Sequence, residues 1–183
     1  QLRNSDIEKI KDWVGKGNTL ITIARGSSWA INSKLINESL VESKKDSTHS
    51  RKNYVDASEF IGRERIGGVI LKADIDLTHP IAFGYNDNSI PVYKNNNVFI
   101  NKTKNDYSSV ATYSKDFHID GYISESNKKD FIPGAASIII SKVGSGRVVV
   151  FADNPNFRGT WYGTNKLFLN AIFLGDNISV PTN

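Results

Sequence analysis

Two neighbouring hydroxyls, Ser27 and Ser28, follow Arg25 and Gly26 directly after the apolar run Leu20, Ile21, Ile23 and Ala24. A serine attacks a carbonyl only when a positioned base takes its proton. The chain has 3 histidines, so a serine hydrolase built on Ser27 or Ser28 would need His79 or His118 as that base. His49 sits alone among hydroxyl residues and reads as solvent-exposed. A catalytic zinc needs three protein ligands and an open position, commonly starting from His-x-x-Glu. Three residues after the histidines stand Lys52, Ala82 and Gly121, so no such motif is present and no metal site is expected. The absence of cysteine excludes a thiolate nucleophile, a thiolate metal site and a disulfide scaffold. What remains is recognition: Arg25 and Arg158 could clamp a carboxylate of the kind a peptide C-terminus supplies. Ser27, Ser28, His79 and Asn154 would complete that pocket. The structural alternatives are that the two serines are helix N-caps, and that Arg158, Trp161 and Tyr162 pack to hold the last helix.

These residues need a scaffold, and the stretch from Asn18 to Ile36 supplies one. Its apolar run between Gly15, Gly17 and Gly26 reads as an interior strand. A helix then carries Ala30, Ile31, Leu35 and Ile36 on one face. Ligands in open α/β sheets gather where such a strand turns into the next helix. Before it, Ser5 and Glu8 predict a capping box opening a helix with Ile7, Ile10 and Val14 inward. Val69, Leu71 and Ala73 alternate with Ile70, Lys72 and Asp74 as a half-buried strand. Short strands are expected at Ile90 to Tyr93 and Val98 to Ile100, around the Asn95-Asn96-Asn97 turn, and at Val110 to Tyr113, with one helical turn at Ser126 to Phe131. Ala136 to Val143 and Arg147 to Ala152, joined by Gly144-Ser145-Gly146, read as a β-hairpin. The last helix, Thr164 to Leu174, is apolar on most of its circumference and is expected to be sandwiched.

The 183 residues are expected to form one domain with a real core. Net charge is +4 with 39% hydrophobic residues. The only basic concentration is the loop holding Lys44, Lys45, Arg51 and Lys52, without stacking aromatics. Neither a nucleic-acid nor a membrane partner is expected.

The segment Thr22-Ile23-Ala24-Arg25-Gly26 resembles the strand-to-helix elbow of the class I glutamine amidotransferase-like fold, where a Gly-x-Cys-x-Gly pattern carries the reactive cysteine. Ala24 stands at the cysteine position. The segments KDWVGKGNTLITIA, THPIAFGY and KVGSGRVVVFADNPNFRGTWYGTNKLFLNAIFLG extend the resemblance over nearly the whole chain. They resemble the C-terminal amidotransferase-like domain that follows the catalytic domain in a group of bacterial zinc carboxypeptidases. Similar accessory domains occur in some β-galactosidases, which leaves carbohydrate binding as a further alternative.

The resemblance implies a flavodoxin-like, three-layer α/β fold with a mainly parallel sheet and a C-terminal antiparallel hairpin, cut from a longer chain and lacking its first strand or strands. It also implies a missing His-x-Glu pair, since Asp153, Asn154 and Pro155 follow the late strand. The expected function is that of a non-catalytic accessory domain, with no cofactor of its own and the zinc held by an upstream carboxypeptidase domain. The expected location is periplasmic or extracellular. Self-association through the Thr19 to Ala24 edge is the expected consequence of missing strands.

Overall fold

The computed structural model describes residues 2–42 and 53–181. The expected basic loop and His49 lie outside the described residues. Helix α1 (Asn4–Gly15) leads into β1 (Thr19–Ile23) and α2 (Arg25–Asn32). Helix α3 (Ala57–Glu64) precedes β2 (Val69–Ile75), β3 (Ser89–Lys94), β4 (Ile100–Asn101) and β5 (Ser109–Gly121). Then come β6 (Ala135–Val143), β7 (Gly146–Phe151) and α4 (Tyr162–Phe173). The strands form one mixed sheet in the order β1-β7-β6-β5-β2-β3, with β4 pairing β6.

Alternation along the strands divides the core into two faces. Val148, Val150, Ala152 and Ile139 pack with Val14 of α1 and Ala30 and Ile31 of α2. Val149, Phe151, Ile138 and Ile140 pack with Leu167 and Ala171 of α4 on the other face. Each sheet face therefore has its own helices, because a strand buried on both sides presents apolar side chains in both directions. β7 and most of β6 are buried at every position.

The expectation of a mainly parallel sheet is corrected. Only β1 and β7 are parallel; the pairs β7–β6, β6–β5, β5–β2 and β2–β3 are antiparallel. The reason lies in the connections. A parallel neighbour needs a crossover of a dozen residues or more, whereas β6 returns into β7 through Gly144-Ser145 with Val143 opposite Gly146. Gly144 takes a φ of 58° in that turn, a conformation L side chains avoid. A Cβ there or at Gly146 would also run into backbone at the end of α1. The hairpin thus forms as expected, and it seats α1.

Other details differ from expectation. α1 starts one turn position earlier, because Asp6 accepts from the Arg3 backbone N–H at 3.2 Å and pairs with its guanidinium. The strands on either side of Asn95-Asn96-Asn97 do not pair with each other; β3 goes to β2 and β4 to β6. Leu35 and Ile36 are buried as expected but beyond the end of α2, after Lys34 at a φ of 57°. α4 is not sandwiched: Leu169, Ile172 and Phe173 are exposed by 45%, 49% and 76%. β1, expected as an interior strand, is an edge.

Candidate functional site

Ile23, Phe151, Ile138, Ala111 and Ile75 form one row across the sheet. The candidate site lies where β1 and β7 run past that row. Ala24 holds φ 50° and ψ −113°, a strained conformation for a residue with a Cβ. Its N–H donates to the Phe151 carbonyl at 2.8 Å, and its own carbonyl accepts from Ser27 and Ser28 as α2 begins. This is the tight strand-to-helix elbow that the sequence pattern predicts, with a methyl group at its apex.

The two serines are not N-caps, since Ala24 occupies that place. Ser27 is buried and donates to the Phe151 carbonyl at 2.7 Å, with Thr22 Oγ1 at 3.1 Å, pinning α2 to the strand ends. Ser28 donates back to the Arg25 carbonyl at 3.0 Å. Neither is hydrogen-bonded to a histidine among the described residues. His79 Nδ1 accepts from the Ile81 N–H at 3.1 Å, in a turn that packs on α4. Burial lowers the His79 pKa, with Asp76 opposing. His118 lies 2.8 Å from the Gly121 carbonyl at the far end of β5. The serine–histidine constellation is not assembled.

The carboxylate pocket forms only in part. Arg25 and Ser28 line a groove of about 390 Å³ together with Arg65, Ile66, Asn95, Asn96, Asn97 and Val98. Asn97 Nδ2 donates to the Glu64 carbonyl and Asn97 Oδ1 accepts from the Ile66 N–H, fastening the end of α3 beside the groove. Asn96 Oδ1 accepts from the Val98 N–H, whereas Asn96 Nδ2 is buried with no hydrogen-bond partner. An unpaired buried donor costs about 1–3 kcal/mol. His79, Asn154 and Arg158 do not line this groove. Asn154 accepts from the Asn156 N–H, and Arg158 is exposed, its guanidinium 5.3 Å from the Phe157 ring centroid. Tyr93 stacks on Phe157 at 4.0 Å and lies 6.0 Å from Trp161. Packing therefore occupies the Arg158 region, although Tyr162 stays exposed.

Sequence reasoning missed the most concentrated chemistry near the elbow. Asp153, two residues past Phe151, is buried and accepts from Tyr113 at 2.8 and 3.0 Å and from Ser137 at 2.6 Å. Lys94 Nζ donates to Asp153 at 3.1 Å and to the Val98 carbonyl at 2.6 Å, and Lys94 is fully buried. Burial lowers the Lys94 pKa against the pull of Asp153, and burial followed by Asp153 raises that of Tyr113. A signal was available: Lys94 shares the inward parity of Ile90 and Val92 along β3. Among the described residues no group of three or more His, Asp or Glu could hold a metal ion.

No family model and no curated protein matches the chain. Two solved structures do. One is a GMP synthase subunit from Thermoplasma acidophilum, with a TM-score of 0.52 and 14% identity over 94% of this chain and 65% of that one. The other is a cytoplasmic protein of Salmonella typhimurium, with a TM-score of 0.50 and 14% identity over 94% of this chain and 61% of that one. The fold is amidotransferase-like. The amidotransferase-like elbow thus persists here around Ala24. The chain spans somewhat under two thirds of the length of these neighbours.

Proposed function

We propose that this amidotransferase-like domain is a non-catalytic, ligand-binding accessory domain whose groove at the elbow takes a carboxylate. The observation that carries the reading is Ala24: the strained backbone that would present a nucleophile is kept while its side chain is a methyl group. Conformational strain is retained where the surrounding structure has a use for the geometry. Here the geometry starts α2 beside the groove, where N-terminal amides and two arginines favour an anion. Arg25 and Arg65 are exposed and can reorient toward a ligand, and Asn96 adds an unpaired donor.

By the sequence resemblance, the carboxylate is the C-terminus of a peptide and the upstream partner is a zinc carboxypeptidase domain on the same polypeptide, outside the cytoplasm. The independent hydrolase is the weaker reading, because Ser27 already donates to the Phe151 carbonyl. Calorimetric titration with one peptide in free-acid and C-terminally amidated forms tests the proposal. Binding of the free acid alone is expected, weakened about tenfold or more by Arg25→Ala, since a charge-assisted hydrogen bond contributes roughly 1.5–3 kcal/mol. Equal heats for both peptides, or none at millimolar concentration, would refute it.

A further inference from the structure

The open side of β1 carries a regular pattern. The Asn18 carbonyl accepts from the Arg147 N–H, and the Ala24 N–H donates to the Phe151 carbonyl. Backbone groups alternate sides along a strand, so even-numbered residues face β7. The N–H and C=O groups of Thr19, Ile21 and Ile23 therefore point away from the sheet. The strand, TLITI, has no charge, no proline and no bulge to guard this edge. Natural edges usually carry such a guard.

The last turn of α4 lies beside the start of the same strand. Gly175 packs on Thr19, and the Thr19 hydroxyl lies 3.2 Å from Asp176 Oδ1. Ile172 and Phe173, immediately before, are exposed by 49% and 76%, with Leu169 one turn earlier at 45%. An unguarded edge and an uncovered apolar helix end thus adjoin on one side of the molecule.

We infer that this side is the interface of a symmetric dimer, in which β1 pairs antiparallel with β1 of a second copy about a twofold axis at Ile21. Three features favour a second copy as the occupant. The outward groups are self-complementary, because Ile21 faces Ile21 and Thr19 faces Ile23, and every outward N–H meets an outward C=O. The twofold axis runs perpendicular to the joined sheets, so the α4 helices of both copies fall on the same face and their exposed ends approach each other. Size agrees as well: a specific interface needs about 1,000 Å² in total, more than a five-residue edge covers, and the α4 residues supply the rest.

Two substitutions separate this interface from the fold. Ile21→Pro removes the central outward N–H and leaves the hydrogen bonds to β7, which use even-numbered residues; proline is tolerated on an edge in that orientation. Phe173→Glu puts a charge on an exposed position. Light scattering at about 100 µM, where a micromolar interface is filled, should give twice the 20.3 kDa chain mass. Both variants should give the single mass with unchanged circular dichroism. If Ile21→Pro does not fold, Phe173→Glu alone decides. A wild-type monomer, species larger than a dimer, or a dimer that survives Phe173→Glu would each overturn the proposal.

Discussion

The groove and the buried Lys94–Asp153 cluster adjoin through the Asn95-Asn96-Asn97 turn and use cations in opposite ways. In the groove, Arg25 and Arg65 stand in solvent with no ion pair among the described residues. In the cluster, Lys94 is fully buried and gives its protons to Asp153 and the Val98 carbonyl, while Tyr113 and Ser137 complete the carboxylate. An exposed charge stays hydrated until a ligand displaces water. A buried one persists only when its partners are already in place. The cluster ties β3, β5, β6 and the end of β7 together, and it holds in position the turn that forms one wall of the groove.

The largest effect should come from breaking the cluster. Lys94→Met leaves Asp153 buried without its cation and should cost about 3–5 kcal/mol in urea unfolding. Arg25→Ala, by contrast, should leave stability within about 0.5 kcal/mol. Comparable losses for the two would erase the distinction between sealed and open charge.

An intermediate effect is expected at the elbow between them. Ala24→Gly removes the Cβ from a φ of 50° and should stabilise by about 1 kcal/mol, the relief of strain outweighing the added chain entropy. An unchanged unfolding midpoint would mean that the elbow stores no strain, and that its shape is set by Ser27 and the Phe151 carbonyl.

The smallest effect concerns His79, remote from both regions. Burial holds its pKa below the ordinary 6.5, so the unfolded chain takes up a proton first as pH falls. The stability present above about pH 6.5 should decline below it and level off once the folded ring also protonates. His79→Gln should flatten that slope in unfolding curves taken across this range. A slope unchanged by the substitution would assign it to other groups.

Local chemistry explains which parts were legible. The β6–β7 hairpin, the alternation of β2 and the elbow each depend on residues close in sequence, where period, turn glycines and a strand-to-helix junction carry the signal. Sheet direction depends on connections. The helix-bearing start of the chain suggested parallel pairing, and the later strands, joined without crossover helices, pair antiparallel. α4 misled for a related reason: apolar residues around a helix do not say whether a second layer covers it. His79, Asn154 and Arg158 were plausible partners for Arg25 by chemistry, but each has a contact within its own loop.

By itself, then, the sequence determined the α/β class, the elbow at Ala24, the absence of a thiolate nucleophile and the apolar edge at β1. These follow from residue types and short-range spacing. Tertiary structure alone decided that Lys94, 59 residues from Asp153 in sequence, is its buried partner, that Arg65 and the Asn95 to Asn97 turn wall the groove with Arg25, and that β1 ends the sheet. Such pairings are set by the packing of distant segments, where a hydrogen bond forms only after the core has brought its donors and acceptors together.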